Sequence, residues 1–440
     1  CGIYQLKYIE KEKGDIEMNT LQKRIGAGLL GTAMLVNMAG CKENIQKEFS
    51  GQVQAATIEE AGTRAVSYEF YLSHKDFYEK TMKTFLQCEN VDSNVVYSPV
   101  NVYIAMGMLA RCTTGEAQQQ ILDLLGDETI DEVRDNIKYL FENLTIDEEK
   151  CITSLANSIW LNAGMEFNEE VIRELGEEYY TSTFSGAMGS EALNQMFQDW
   201  INDNTNGLLI EQIKDFKLDS NTVIALVSTI YYKVSWENEF DIRNTYEETF
   251  YKDGEEIRLD FLHNSSEEMD YYISETFTAI SIPTLNGAEW YFLPNEGYTN
   301  EDILEDEGLY ELLGGKDSNI IALKNSEVDY SIPKLDVESK ADIIEGLMEL
   351  GVTDIFDSAY SDLFTIVDSS DVSVNQVIHA ARLINDEDGV EAAAATVANA
   401  IIGVDITEPI RLRFDCNKPY VTVVTEYGVP IFTGIINNPQ

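Results

Sequence analysis

Two rhythms of apolar and polar positions run along this chain of 440 residues. Apolar side chains recur every three or four positions at 75–87, 104–109, 117–125, 130–144, 169–175, 191–204 and 341–350, which predicts amphipathic helices. Runs rich in β-branched and aromatic residues predict strands at 223–232, 279–282, 290–293, 328–332 and 374–383, with a terminal pair at 421–424 and from 429 onward. Helices gathered early and strands gathered late give an α+β fold rather than alternating α/β.

One segment, Glu387-Asp388-Gly389-Val390-Glu391-Ala392-Ala393-Ala394-Ala395-Thr396, fits either rhythm. On propensity alone Glu and Ala make a helix an equal reading. If the segment is extended, Val390, Ala392, Ala394 and Thr396 share one face and Glu391 takes the other. The first face is small and nearly apolar, so it can slide between two existing strands, and Gly389 ahead of it supplies the backbone freedom of a hinge. Context favours the strand. Phe414-Asp415-Cys416-Asn417-Lys418-Pro419-Tyr420 and the terminal strand pair follow, with turn residues between them.

Hinge, Asn-Lys-Pro turn, paired last strands and final Pro439 together resemble the serpin family. The resemblance continues upstream in the family's order, through Asn94-Val95-Val96-Tyr97-Ser98-Pro99-Val100-Asn101, Ala156-Asn157-Ser158-Ile159-Trp160, Trp200 with Thr205-Asn206-Gly207, and Lys233-Val234-Ser235-Trp236. Phe292-Leu293-Pro294-Asn295-Glu296-Gly297 and Ile332-Pro333-Lys334 complete it, so it covers nearly all of 67–440. It implies a serpin domain at 67–440, with a helical cluster on three mainly antiparallel β-sheets and an exposed reactive-centre loop. It also implies a suicide-substrate inhibitor of serine proteases rather than an enzyme: the bait bond is cleaved, and the hinge then enters the central sheet. Glu387, Gly389, Val390, Glu391, Ala392, Ala393, Ala394, Ala395 and Thr396 match the family's hinge, although Val390 replaces its usual Thr or Ser. The family's spacing places the bait bond in the window Ile402, Gly403, Val404, which holds no basic or aromatic residue, so elastase-like proteases fit best. Ser98 and His379 match the polar shutter beneath the sheet, while Asn101 and Ser228 stand where Ser and Asn are usual. A non-inhibitory serpin, acting as a surface binding or adhesion lipoprotein, is the alternative.

Charge narrows the partners. Thirty basic against 78 acidic residues give a formal charge of −48, a surface that repels itself and stays soluble. With no basic patch in view, neither nucleic acid nor heparin is an expected partner, and a monomer is the expected state. The six cysteines show no CxxC spacing and no neighbouring His, so no metal or other cofactor is expected, and Cys88, Cys112, Cys151 and Cys416 read as buried free thiols. Of three histidines, His74 and His263 read as surface or incidental, and His379 as a hydrogen-bonded core residue. No HExxH, P-loop or paired-carboxylate spacing supports catalysis, and the GxGxxG letters at 26–31 lack a preceding strand.

Residues 18–40 read as an export signal, with Lys23-Arg24 before an apolar stretch and Met38-Ala39-Gly40 before Cys41. Ala-Gly-Cys resembles a bacterial lipobox, which would make Cys41 a lipidated N-terminus and the protein a cell-surface lipoprotein; plain secretion is the alternative. Residues 41–66 read as a flexible tether and 1–17 as an upstream artefact.

Overall fold

Local capping chemistry sets where the helices begin. In the computed structural model, Thr129 and Glu132 form a capping box that opens Ile130–Leu144, and the Ser190 hydroxyl accepts from the Leu193 amide to open Glu191–Asn204. Ser98 caps Pro99–Arg111 by accepting from the Asn101 amide, with Pro99 at the first helical position. The structure describes residues 49–440 apart from 54, 58–66, 87–92, 253, 318–319, 368–371, 375–376, 391–410 and 440. The export segment, Cys41, Cys88, hinge residues Glu391 to Thr396 and the window Ile402 to Val404 therefore lie outside the described residues. Residues 51–440 form one of two compact units, and the helices and sheets of the fold belong to it.

The longer helices of the first half are α1 (Lys75–Phe85), α2 (Pro99–Arg111), α3 (Gly115–Leu125), α4 (Ile130–Leu144), α5 (Glu169–Glu178) and α6 (Glu191–Asn204). The strands that build the two sheets are β1 (Val95–Tyr97), β2 (Cys151–Asn162), β3 (Thr181–Gly186), β4 (Ile224–Ser235), β5 (Thr245–Lys252), β6 (Glu255–Ile273), β7 (Phe277–Pro283) and β8 (Gly287–Pro294). They continue with β9 (Ile321–Pro333), β10 (Leu335–Asp342), β11 (Ile378–Asn385), β12 (Gly389–Val390), β13 (Arg411–Asp415), β14 (Tyr420–Glu426) and β15 (Val429–Ile436). The first sheet includes the run β3-β2-β4-β12-β11-β10, with the short strand Ile146–Glu148 added to β2, and the second has the order β13-β9-β6-β7-β8-β14-β15-β1, with β5 added to β6. Helix α2 lies between them against β4 and β15, which is why nearly all its residues are buried.

Three expectations change. Three sheets become two bonded sheets, because β6 is one 19-residue strand that pairs with β5 and β9 along its course and with β7 near its end. The helix expected over 341–350 starts only at Ile344: Ala341 and Asp342 pair with His379 and Ile378, so sheet pairing overrides local helix preference. The strand expected over 374–383 runs from Ile378 to Asn385, since the Val374 amide donates instead to the Ile355 carbonyl at 2.7 Å.

Candidate functional site

The two-residue strand β12 sits between β4 and β11, antiparallel to both. Gly389 faces Ser235 and Val390 faces Val234 on one side, while Val390 faces Asn385 on the other. Val390 is wholly buried. A Cβ on Gly389 would collide with the Val234 carbonyl, so close backbone approach, more than hinge freedom, requires glycine here.

The turn before β12 is held from several sides. Glu387 accepts from Lys334 Nζ at 2.7 Å and from the Thr245 hydroxyl at 2.8 Å, and its carbonyl accepts from the Phe240 amide at 2.9 Å. The indole Nε1 of buried Trp236 donates to the Asp386 carbonyl at 2.8 Å, and the Asp386 carboxylate accepts from the Asp388 amide at 2.9 Å. Burial pushes the Glu387 carboxyl up, but the Lys334 ammonium and the hydrogen bonds it accepts outweigh this and leave its pKa below the ordinary value.

Below β12 the sheet is parted. Among the described residues no pairing joins β4 to β11, and a cavity of about 150 Å3 separates them, lined by Ile224, Leu226, Ser228 and Ile230 on one side and Ala380 and Ala381 on the other. Residues of both faces of β4 line it, with Val227 and Thr229 beside Leu226 and Ser228.

The four polar residues marked in the sequence meet at this seam. The Ser98 amide donates to His379 Nε2 at 3.0 Å, the Ser98 hydroxyl accepts from the Asn101 amide at 3.2 Å, and the Ser228 hydroxyl donates to Asn101 Oδ1 at 3.3 Å. A ring nitrogen that accepts carries no proton, so His379 is neutral with its proton on Nδ1. Desolvation by burial holds its pKa down to about 4.

The other two histidines are not incidental. His74 is buried, stacked on Phe70, with Nδ1 2.8 Å from the Phe70 carbonyl and Nε2 3.3 Å from Asp127, which also accepts from Tyr103 at 2.6 Å and Asn136 at 2.8 Å. His263 lies within β6 and stacks on Tyr246. Cys112, Cys151 and Cys416 are buried and take part in no disulfide, as expected.

A family model described as "Serpin (serine protease inhibitor)" matches residues 74–439. The chain belongs to the serpin family. Its curated relatives include an alpha-1-antitrypsin-like protein GS55-MS from Ictidomys tridecemlineatus, 27% identical over 80% of this chain and 84% of the relative, and alpha-1-antiproteinase 2 from Equus caballus, 26% identical over 79% and 82%. Solved structures with the same fold include the thermophilic serpin tengpin in the native state (TM-score 0.73, 22% identity, 88% of this chain and 97% of that one). Another is thyroxine-binding globulin in complex with thyroxine (TM-score 0.71, 20% identity, 85% and 100%). This serpin has the serpin fold, in a family made up mostly of protease inhibitors rather than enzymes.

Two tests address the site. Because the folded His379 pKa of about 4 lies below the unfolded value near 6.5, its contribution to stability is complete above about pH 6.5 and is lost as pH falls toward 4, by up to roughly 3 kcal/mol. His379→Gln keeps an acceptor without a proton to gain, so its urea midpoint is expected to vary less between pH 6.5 and 4; an unchanged acid slope would assign that slope elsewhere. For the hinge anchor, a double-mutant cycle of Glu387→Gln and Lys334→Met is expected to give a coupling of about 1 kcal/mol, kept modest because Lys334 is 37% exposed. Zero coupling would mean that the ion pair does not hold the hinge.

Proposed function

We propose that this serpin traps serine proteases as a suicide substrate, with elastase-like enzymes as its class of target. The observation that carries this reading is the parted first sheet with β12 already seated at its top. Continuing the β12 register by six residues on each side would bring Thr396 opposite both Ser228 and His379, so the strand that fills the cleft ends its first half at the polar seam. That strand is the Ala-rich segment. Its inward face would follow Val390 with Ala392, Ala394 and Thr396, small enough to enter between β4 and β11 without displacing α2.

The chemistry is acyl transfer followed by movement. A target's serine attacks the bait carbonyl in the window Ile402, Gly403, Val404, the new amino end departs, and the acyl-enzyme remains attached to the severed loop. Insertion of about 14 residues at ~3.3 Å each carries the attached enzyme ~46 Å along the sheet, and distortion traps it before water completes hydrolysis. Ser98, Asn101, Ser228 and His379 act as the shutter in this reading, resisting opening until the strand arrives. The aliphatic window supports the elastase-like class. Two relatives named as plasma proteins support an extracellular setting, and residues 18–40 with Cys41 supply an export signal and lipid anchor.

Thyroxine-binding globulin, crystallised with thyroxine, is the solved neighbour that favours the second reading, a binding serpin. One experiment separates the two: pancreatic elastase is mixed with the purified protein and the products are run on a denaturing gel. A denaturant-resistant adduct is expected, with a released fragment beginning at Val404 or within a residue or two of it. Cleavage at Arg411 or Arg413 instead would overturn the bond assignment. Ala394→Arg places an unpaired charge on the inward face, which costs several kcal/mol on burial, so this variant is expected to be cleaved as fast but to leave no adduct. Cleavage without adduct in the unsubstituted protein, and no rise in melting temperature after cleavage, would favour the binding reading.

A further inference from the structure

A second polar cluster lies under the hinge, and the trapping reaction makes no use of it. Glu289, on β8, is wholly buried. Its Oε1 accepts from the Thr422 hydroxyl at 2.9 Å, while Oε2 and the nearby Tyr420 hydroxyl have no partner of good geometry. The groups that face it are Tyr291 from its own strand, Thr422 and Tyr420 from β14, Cys416 just before β14, Asn385 from β11 and Tyr232 from β4. None of them is a Lys or Arg, so among the described residues no cation neutralises the carboxylate. A lone buried carboxylate is an expensive choice for a core unless its proton is put to use.

Asn385 connects this cluster to the hinge. Its amide nitrogen donates to the Tyr291 hydroxyl at 3.1 Å, its Oδ1 accepts from the Leu335 amide at 2.8 Å, and its backbone is the β11 partner of Val390. The β11–β12 pairing thus stands one side chain away from Tyr291 and two from Glu289.

We propose that Glu289 is a proton-controlled restraint on the hinge: its ionisation favours openings that let water reach the cluster, and so weakens the seat of β12 through Tyr291 and Asn385. Burial supplies the main push on this group, opposed by the polar groups of Tyr291, Thr422 and Asn385 beside it, and its pKa is raised to about 7. A carboxyl raised in the folded state stabilises that state fully below its unfolded pKa near 4.5, and the contribution is lost as pH rises through about 7. Acid therefore locks the hinge and mild alkali loosens it.

This inference rests on the reading that the hinge enters the first sheet, but its test uses the uncleaved protein and no protease. Hydrogen–deuterium exchange is measured for the peptide carrying Gly389 and Val390 between pH 6 and 8. After correction for intrinsic exchange, protection is expected to fall about tenfold over that range. Glu289→Gln, neutral and isosteric, is expected to show a flat profile. Tyr291→Phe is expected to keep the carboxyl titration, read from the protonated C=O infrared band, while flattening the hinge response. Retention of the fall in either variant would overturn the proposal, as would an infrared band in the unsubstituted protein that shows no titration near pH 7. Loss of adduct formation with this pH response intact would instead sink the inhibitory reading alone.

Discussion

An unfilled place between two strands governs this molecule. β4 and β11 each turn an edge toward a gap, and a protein interior tolerates few backbone groups left without partners. Among the described residues Gly389 and Val390 enter it, pairing at the top with Val234, Ser235 and Asn385. A strand that completed the sheet would satisfy both edges at once. On the proposed inhibitory reading, the folded chain is held short of its best-bonded arrangement by a barrier, and its persistence is a matter of rate.

The contacts that would make up such a barrier lie along the seam. At the hinge, the Lys334–Glu387 pair and the Trp236 indole fix where the turn begins. Midway, Ser98, Asn101, Ser228 and neutral His379 join α2, β4 and β11 across the gap. Beneath the hinge, Asn385 is tied to Tyr291 in the second sheet. Two of these points contain groups whose pKa values are displaced in opposite directions, His379 down to about 4 and Glu289 up to about 7. Charging either one introduces a buried ion without a counter-ion, but His379 charges as pH falls and Glu289 as it rises. By linkage the His379 contribution is complete only above about pH 6.5 and the Glu289 contribution only below about pH 4.5, so between those limits the gain from one offsets the loss from the other.

Much of this was legible in the sequence where local chemistry agrees with tertiary placement. Apolar spacing predicted α4 and α6 to the residue, and in the fold Thr129 and Ser190 cap the ends so predicted. Ser98, Asn101, Ser228 and His379 were marked through family resemblance, not through spacing, since they are scattered over the chain and meet only in the fold. β6 was missed because its exposed stretch is dense in Glu and Asp and carries little apolar signal over 19 residues. His74 was misjudged because polar neighbours in sequence conceal Phe70, Tyr103 and Asp127, which surround it in space. Glu289 had a weak signal: it alternates with Tyr291 on the inward face of a strand, so period-2 reading places it in the core.

A sheet with an open cleft faces a hazard that its net charge opposes. Any extended apolar segment from another copy could pair with β4 or β11, and exposed edges are known routes to association. The formal charge of −48 acts against this at the distances where copies first approach, since like-charged molecules repel over roughly a Debye length, about 8 Å at physiological salt. The segment best shaped for the cleft is itself preceded by Asp386, Glu387 and Asp388, so a neighbour's copy would have to bring that charge to an acidic surface. Within one molecule the same acids stay outside, because Asp386 closes the turn and Glu387 is neutralised by Lys334 before the first inserted residue is reached. Charge thus favours filling the cleft from the chain's own loop over filling it from another, without any contact that names the difference.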